Sequence, residues 1–363
     1  MSLRSPVGRF SDPPSLRPGL NGGATPSSRD VCRRAVHYYL SERPRAGRRP
    51  VRFRTLALLA LACCSGRFTI VAAPIFRTVG LAAGADVHTI QEAIDAVPAG
   101  NTADKIIIVQ PGAFFGHTIL NKPHVTLRGS GPATLLTYNL GQSVPGADGQ
   151  PVTWRGAAAL QITPEAHDCA IENLTLENTF GEGMQAQACV IEADRVAFRH
   201  CRILGWQDTL RLETGRQFFD RCYIAGHVDF IYGGATAFFD RCEIFCRGPG
   251  YVTAPATPAG RIGFVFSECR VTFPYHAAPT YLGRPWHGSP AATFIHCELG
   301  PGIQPAGWHE WRVPPPLIRF AEYQCTGPGA ATAGRVAWAA HSDSPAPAEF
   351  ARTAVLGDWN PEE

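Results

Sequence analysis

The sequence predicts an all-β fold, a parallel β-helix of stacked coils of roughly 20 residues each, closed at its N-terminal end by a short helix. Three observations predict it. The pattern F-x-x-C-x-[ILV] recurs as Phe198/Cys201/Ile203, Phe219/Cys222/Ile224, Phe239/Cys242/Ile244, Phe266/Cys269/Val271 and Phe294/Cys297/Leu299, with successive Phe positions 21, 20, 27 and 28 apart. Within each unit, short alternating apolar runs such as A-F-R-H-C-R-I are broken by Gly, Asn or Asp, which is strand chemistry rather than helix chemistry. Upstream, H-T-I-Q-E-A-I-D-A-V-P (88–98) places Ile90, Ala93, Ile94 and Val97 at helical spacing and ends at proline. A short strand cannot bury its inner face alone, so equivalent strands on successive coils pair in parallel and share one core.

From the N-terminus, the chain divides by composition. Its formal charge of +3 conceals 14 Arg against 3 acids in residues 1–83, or +11, leaving 19 basic against 27 acidic residues beyond, or −8. Residues 1–50, rich in Arg, Pro, Gly and Ser without an apolar period, read as disordered or as an untranslated extension, with the natural start near Val51. A nucleic-acid-binding arm is the alternative reading of those arginines; no nucleic-acid partner is expected. Residues 51–66 run from Arg52 and Arg54 into TLALLALACCSG, the basic, short apolar and small-residue regions of an export signal. The stretch is too short to span a bilayer comfortably. The expected location is therefore secreted, extracellular or periplasmic, with a lipid anchor at Cys63 or Cys64 as the outer-membrane alternative. Residues 67–84 read as a linker and 85–363 as the β-helix domain, expected to be monomeric.

Inside that domain, the helix at 88–98 is expected to cap the solenoid. K-I-I-I-V-Q-P-G and H-V-T-L-R-G-S-G supply the first strands and turns, and I-E-N-L-T-L-E-N (171–178) a further coil with Ile171, Leu174 and Leu176 inward. The longer intervals of 27 and 28 residues carry loops outward. The chain's 12 cysteines show no C-x-x-C or H-E-x-x-H spacing, and no metal or cofactor is expected. Their column reads mostly as core filling. Strand spacing of about 4.8 Å puts a bridge between neighbouring coils within reach, Cys222 with Cys242 being the pair; free stacked thiols are the alternative.

Chemistry concentrates in the segment 205–234. C-R-I-L-G-W-Q-D-T-L around Asp208 and C-Y-I-A-G-H-V-D-F-I around Asp229 share one pattern at an offset of 21 residues. If one coil is 21 residues, these two carboxylates lie about one strand spacing, roughly 5 Å, apart. Gln185 stands 22 before Gln207 and falls close to the same column on the preceding coil. Two carboxyls that close cannot both ionise freely, so one pKa is expected to rise while the other stays low. The alternative is that each Asp only closes a turn.

Q-A-Q-A from Gln185, G-W-Q-D-T-L from Gly205, G-H-V-D-F-I-Y-G from Gly226 and Y-L-G-R-P-W from Tyr281 resemble the four signature segments of the pectin methylesterases (pectinesterases). T-I-Q-E-A-I-D-A-V-P, G-W-H-E-W, E-Y-Q-C-T-G-P-G-A and R-V-A-W add to the resemblance, which covers roughly residues 85–340. It implies a right-handed, single-stranded, pectin-lyase-like β-helix that removes methyl esters from the galacturonate units of pectin without a metal, releasing methanol and pectate. By motif, Asp229 is then the nucleophile and Asp208 the acid/base. Gln185 and Gln207 are the oxyanion donors, Arg284 holds Asp229, and Trp286 packs on the sugar. Phe230, Tyr232 and Arg211 join Trp286 as substrate-binding residues.

Ester cleavage needs a nucleophile, and the chain has no G-x-S-x-G elbow. The chain departs from the family pattern at Arg211, where a tyrosine is usual, at Gln187, where an apolar residue is usual, and at P-G-A-F-F-G-H near the first coil. Arg211 beside the groove is expected to favour partly demethylated pectin through its charge. The alternatives are a β-helix esterase or thioesterase on another substrate, a pectin-cleaving glycosidase or lyase on the same fold, and a non-catalytic carbohydrate-binding protein.

Overall fold

A computed structural model describes residues 75–274 and 279–362. The expected extension 1–50, export signal 51–66 and anchor sites Cys63 and Cys64 lie outside those residues. Three parallel sheets, of eleven, eight and seven strands, run along the molecule, and successive coils add one strand to each. One coil goes from Arg216–Asp220 in the first sheet to Tyr223–Gly226 in the second and Ile231–Gly233 in the third, then starts again at Thr236–Asp240. This is the parallel β-helix that the repeat predicts.

Register explains why the repeat is visible. Phe198, Phe219, Phe239, Phe266 and Phe294 are direct partners across the first sheet. Their rings stack inside the barrel with centroids 4.9, 4.6, 4.4 and 4.4 Å apart, and all five are fully buried. Parallel in-register pairing delivers one strand spacing per coil, close to the stacking distance of aromatic rings. The column ends on a charge. Glu322 pairs with Phe294 in register and, buried, takes a fork from Arg335 at 2.9 Å to each oxygen and a third bond from Trp308 Nε1 at 3.0 Å.

The cysteine column is built of free thiols, and the expected Cys222–Cys242 bridge is not formed. Side chains at equivalent positions of stacked coils point the same way, so the two sulfurs lie side by side instead of converging. Each finds a backbone partner: Cys242 Sγ lies 3.4 Å from the Phe219 carbonyl and 3.5 Å from that of Asp240, and takes the Cys222 N–H at 3.4 Å. Cys325 continues the series with its sulfur 3.5 Å from the Phe294 carbonyl.

The N-terminal cap is Ile90–Asp95, with Thr89 and Glu92 forming a reciprocal capping box and Ile90, Ala93 and Ile94 buried. The segment read as linker needs correction. Ile75–Val79 is a strand, paired in parallel with Lys105–Val109, and it covers what would otherwise be the open edge of the first sheet. At the far end of the chain, the helix Arg352–Leu356 covers an apolar patch on the outer face of that sheet, Ala197, Phe218, Phe238, Val265 and Ile295, through Val355 and Leu356. Arg216 ties this helix down through the Leu356 carbonyl at 2.8 Å and Asp358 at 2.5 Å.

Candidate active site

The turn from the second sheet into the third carries both aspartates. Pairing before the turn (Leu204 with Ala225) and after it (Leu210 with Ile231) keeps an offset of 21 residues, so Asp208 and Asp229 hold equivalent positions on adjacent coils. Both adopt left-handed backbone, φ 61° and 51°, and the Asp208 N–H donates to the Val228 carbonyl at 3.0 Å. The glycine that opens each turn has a steric reason: a Cβ on Gly226 would lie 2.3 Å from that of Phe230. Gln185, in the equivalent turn one coil earlier, is joined by a parallel bridge to Gln207 in the turn of Asp208, as the column predicts.

The carboxylates are 6% and 7% exposed, and their environments differ. Arg284 forks Asp229, Nε to Oδ1 at 2.9 Å and Nη2 to Oδ2 at 2.6 Å. The guanidinium is itself held between two rings, 4.0 Å from the Tyr251 centroid and 3.9 Å from that of Trp311. Tyr251 is fixed in turn by His309 Nδ1 at 2.9 Å. Asp208 has no such fork. Burial first, and the Asp229 charge second, push its carboxyl up to about 8. The expectation that the other carboxyl stays low is corrected: burial also raises Asp229, and Arg284 pulls it back only in part. A carboxyl clamped by a cation therefore stands next to one whose proton affinity is raised further, an arrangement able to supply a nucleophile and a proton donor.

Other expectations change. Phe230 is 0% exposed and belongs to the barrel core, because the chain alternates direction after Asp229 and turns this ring inward. It is not a substrate contact. Tyr232 is also buried, beneath Trp286 at a ring distance of 5.7 Å, with its hydroxyl bonded to Gln187. Trp286, above it, is half-buried. Arg211 does not present a free charge: its side chain is 13% exposed, pairs with Glu213 at 2.6 Å, and lies 3.7 Å from the Trp154 ring.

Tyr251, Trp311 and Trp154 were not singled out from the sequence. The first was within reach, since the coil register (Ile231 with Thr253) carries the aspartate column on to position 251. Trp311 closes the G-W-H-E-W segment already noted. Nothing local marks Trp154, whose loop meets Arg211 only in the folded chain.

Comparison with known proteins gives one answer. The family model described as Pectinesterase matches residues 77–356. The chain is 36% identical over 263 residues to Pectinesterase 31 of Arabidopsis thaliana, covering 70% of this chain and 83% of that protein. It is 31% identical to Putative pectinesterase 11 of the same plant, covering 76% and 77%. Among solved structures, pectin methylesterase from carrot superposes with a TM-score of 0.72 at 28% identity, covering 80% of this chain and 95% of the other. Pectin methylesterase PemA from Erwinia chrysanthemi gives 0.71 at 26% identity, covering 80% and 99%. The chain belongs to the pectinesterase family.

Proposed function

We propose that this protein hydrolyses the methyl esters of galacturonate units in pectin, with Asp229 as nucleophile and Asp208 as acid and then base. Asp229 attacks the ester carbonyl, and the amides of Gln185 and Gln207 donate to the oxyanion that develops. Collapse of that intermediate forms an acyl anhydride with Asp229 and expels methoxide, which takes the Asp208 proton and leaves as methanol. Asp208, now ionised, removes a proton from the water that cleaves the anhydride, restoring both side chains and leaving a galacturonic acid unit that gives up its proton to solvent. Arg284 keeps Asp229 ionised for the attack, and Trp286 offers a ring face to the sugar.

The observation that carries this reading is the asymmetry of the pair: two buried carboxyls one coil apart, only one of them forked by arginine. A glycosidase would also use two acids, but the donors beside this pair are amides suited to an acyl oxyanion. Methanol release and reducing ends, measured together on highly methylated pectin for the wild type and Asp229→Ala, test the assignment. Methanol without chain shortening, lost in the variant, is the expected result; new reducing ends from the wild type would overturn it. Action on a plant polysaccharide fits export of the chain, for which the apolar stretch after Arg54 is the motive. Among the described residues no helix is long and apolar enough to cross a membrane. Finding residues 51–66 still attached to protein recovered from the medium of the native host would refute removal of an export signal.

A further inference from the structure

The phenylalanine column of the barrel ends on an ion pair where a further apolar ring would continue the pattern. Glu322 pairs in register with Phe294, is 4% exposed, and is forked by Arg335, whose side chain is 1% exposed. Burying two charges costs desolvation that their attraction offsets only in a fixed, fully bonded geometry, and apolar residues of like volume are often as stable, so the pair calls for an explanation other than stability. What an ion pair supplies and phenylalanine does not is direction.

That direction is toward the segment 304–311. Glu322 Oε1 accepts the Trp308 Nε1–H at 3.0 Å, and an indole has no other proton to donate. Arg335 Nη1 donates to the Gln304 and Pro305 carbonyls at 3.3 and 3.0 Å, and a Cβ on Gly307 would lie 2.5 Å from Arg335 Cδ. Held in this way, the segment pairs with the strand Thr280–Gly283, which leads directly into Arg284. The Leu282 N–H donates to the Gly307 carbonyl at 2.7 Å, and the His309 N–H to the Gly283 carbonyl at 3.0 Å. The buried Trp308 ring lies against Gly283 itself, where a Cβ would be 3.3 Å from Cζ3. Farther along the segment, His309 Nδ1 meets the Tyr251 hydroxyl and the Trp311 ring covers the Arg284 guanidinium.

We propose that Trp308 is a positioning residue for Arg284, with Glu322 and Arg335 as its anchor inside the barrel: together they set where the guanidinium stands when it forks Asp229. The inference rests on the role proposed for Arg284. All three side chains are buried in the barrel, so they act through Arg284 and not on the ester. The fork has contacts of 2.9 and 2.6 Å. A shift of about 1 Å breaks such contacts, and misplacement of that size costs about 10²-fold in rate.

The test is kcat and KM for methanol release by Trp308→Phe, alone and combined with Arg284→Lys, measured well below each variant's melting temperature. Trp308→Phe keeps a ring in the core and loses the N–H; kcat is expected to fall by about 10- to 10²-fold with KM little changed. A residue that only fills the core would lower the melting temperature and leave kcat of the folded enzyme at the wild-type value, and that result would overturn the proposal. Arg284→Lys keeps the charge without the fork, so in the combined variant the loss due to Trp308→Phe is expected to shrink. An undiminished further loss would show that Trp308 acts by another route, and would overturn the proposal as well. Should Trp308→Phe fail to fold, Glu322→Leu combined with Arg335→Met decides by the same readings, since it removes the acceptor of Trp308 while apolar replacement of a buried ion pair is commonly tolerated. Arg284→Lys by itself is expected to lower kcat. A wild-type kcat there would remove the role of the fork and leave Trp308 nothing to position, whatever Trp308→Phe shows.

Discussion

At the turn between the first and second sheets, His200, Arg221, Arg241, Glu268 and His296 all adopt left-handed backbone, with φ between 47° and 54°. At the next turn of the same solenoid, Asp208 and Asp229 do the same. The two columns even share a hydrogen bond, the N–H of each of these residues but Asp229 reaching the carbonyl one coil on: His200 to Asp220 and Arg221 to Asp240, as Asp208 to Val228. Yet the residues of the first column are exposed, and an ion pair such as Arg221 with Asp220 at 2.8 Å has its guanidinium about half in water. The second column is buried, and Arg284 forks one of its two carboxylates. One backbone device thus serves a scaffold and a site; what separates them is desolvation and the company each side chain keeps.

That contrast can be broken or sharpened experimentally. The largest effect is expected for Asp229→Ala, which should lower kcat for methanol release by about 10⁴-fold or more with pectin binding retained in a pull-down. Next comes the scaffold itself: Phe239→Ala, in the middle of the stacked column, should cost about 3–5 kcal/mol in denaturant unfolding. Gln207→Ala should reduce kcat by about 10²–10³-fold, the loss typical of one oxyanion donor, with KM little changed.

On stability rather than activity, a pH-dependent effect is expected for Asp208→Asn. The folded state raises this carboxyl from its ordinary 3.8 to about 8, so the fold binds a proton that the unfolded chain releases. The resulting stabilisation is fully present below the ordinary value and lost as pH rises through the folded one. Asparagine cannot ionise, so the variant's melting temperature should gain on the wild type between pH 4 and 8, by about a few degrees, and level off above. The smallest effect is expected in the exposed column, where Glu268→Gly should change stability by no more than about 1 kcal/mol and leave methanol release unaltered. Loss of activity there would erase the distinction between the columns.

How legible this was in the sequence depended on whether a feature repeats. The Phe and Cys columns declare themselves because each coil restates them, and they carry the coil length that juxtaposes Asp208 and Asp229. Where the column changes character, at Glu322, the eye loses the rung, although Cys325 still marks it. The doublets Phe218-Phe219 and Phe238-Phe239 held an unused signal: adjacent residues of a strand point to opposite faces, so two aromatics in a row require cover on both sides. The C-terminal helix is that cover for Phe218 and Phe238. Direction was the weak point at the site, since proximity to Asp229 suggested Phe230 for the groove while alternation sends it to the core. Contacts between distant loops, such as Trp154 on Arg211, have no periodic trace at all.

The unequal coil lengths bear on how such an enzyme can change over generations. Successive Phe positions from 198 are 21 and 20 apart through the coils of the two aspartates, then 27 and 28 through the coils that carry Tyr251, Arg284 and Trp286. A residue gained or lost between Asp208 and Asp229 would slide one carboxyl past the other and end the chemistry in a single step. The later coils already tolerate extra length, so lineages are free to vary those loops and explore new polysaccharides while inheriting the reaction unchanged.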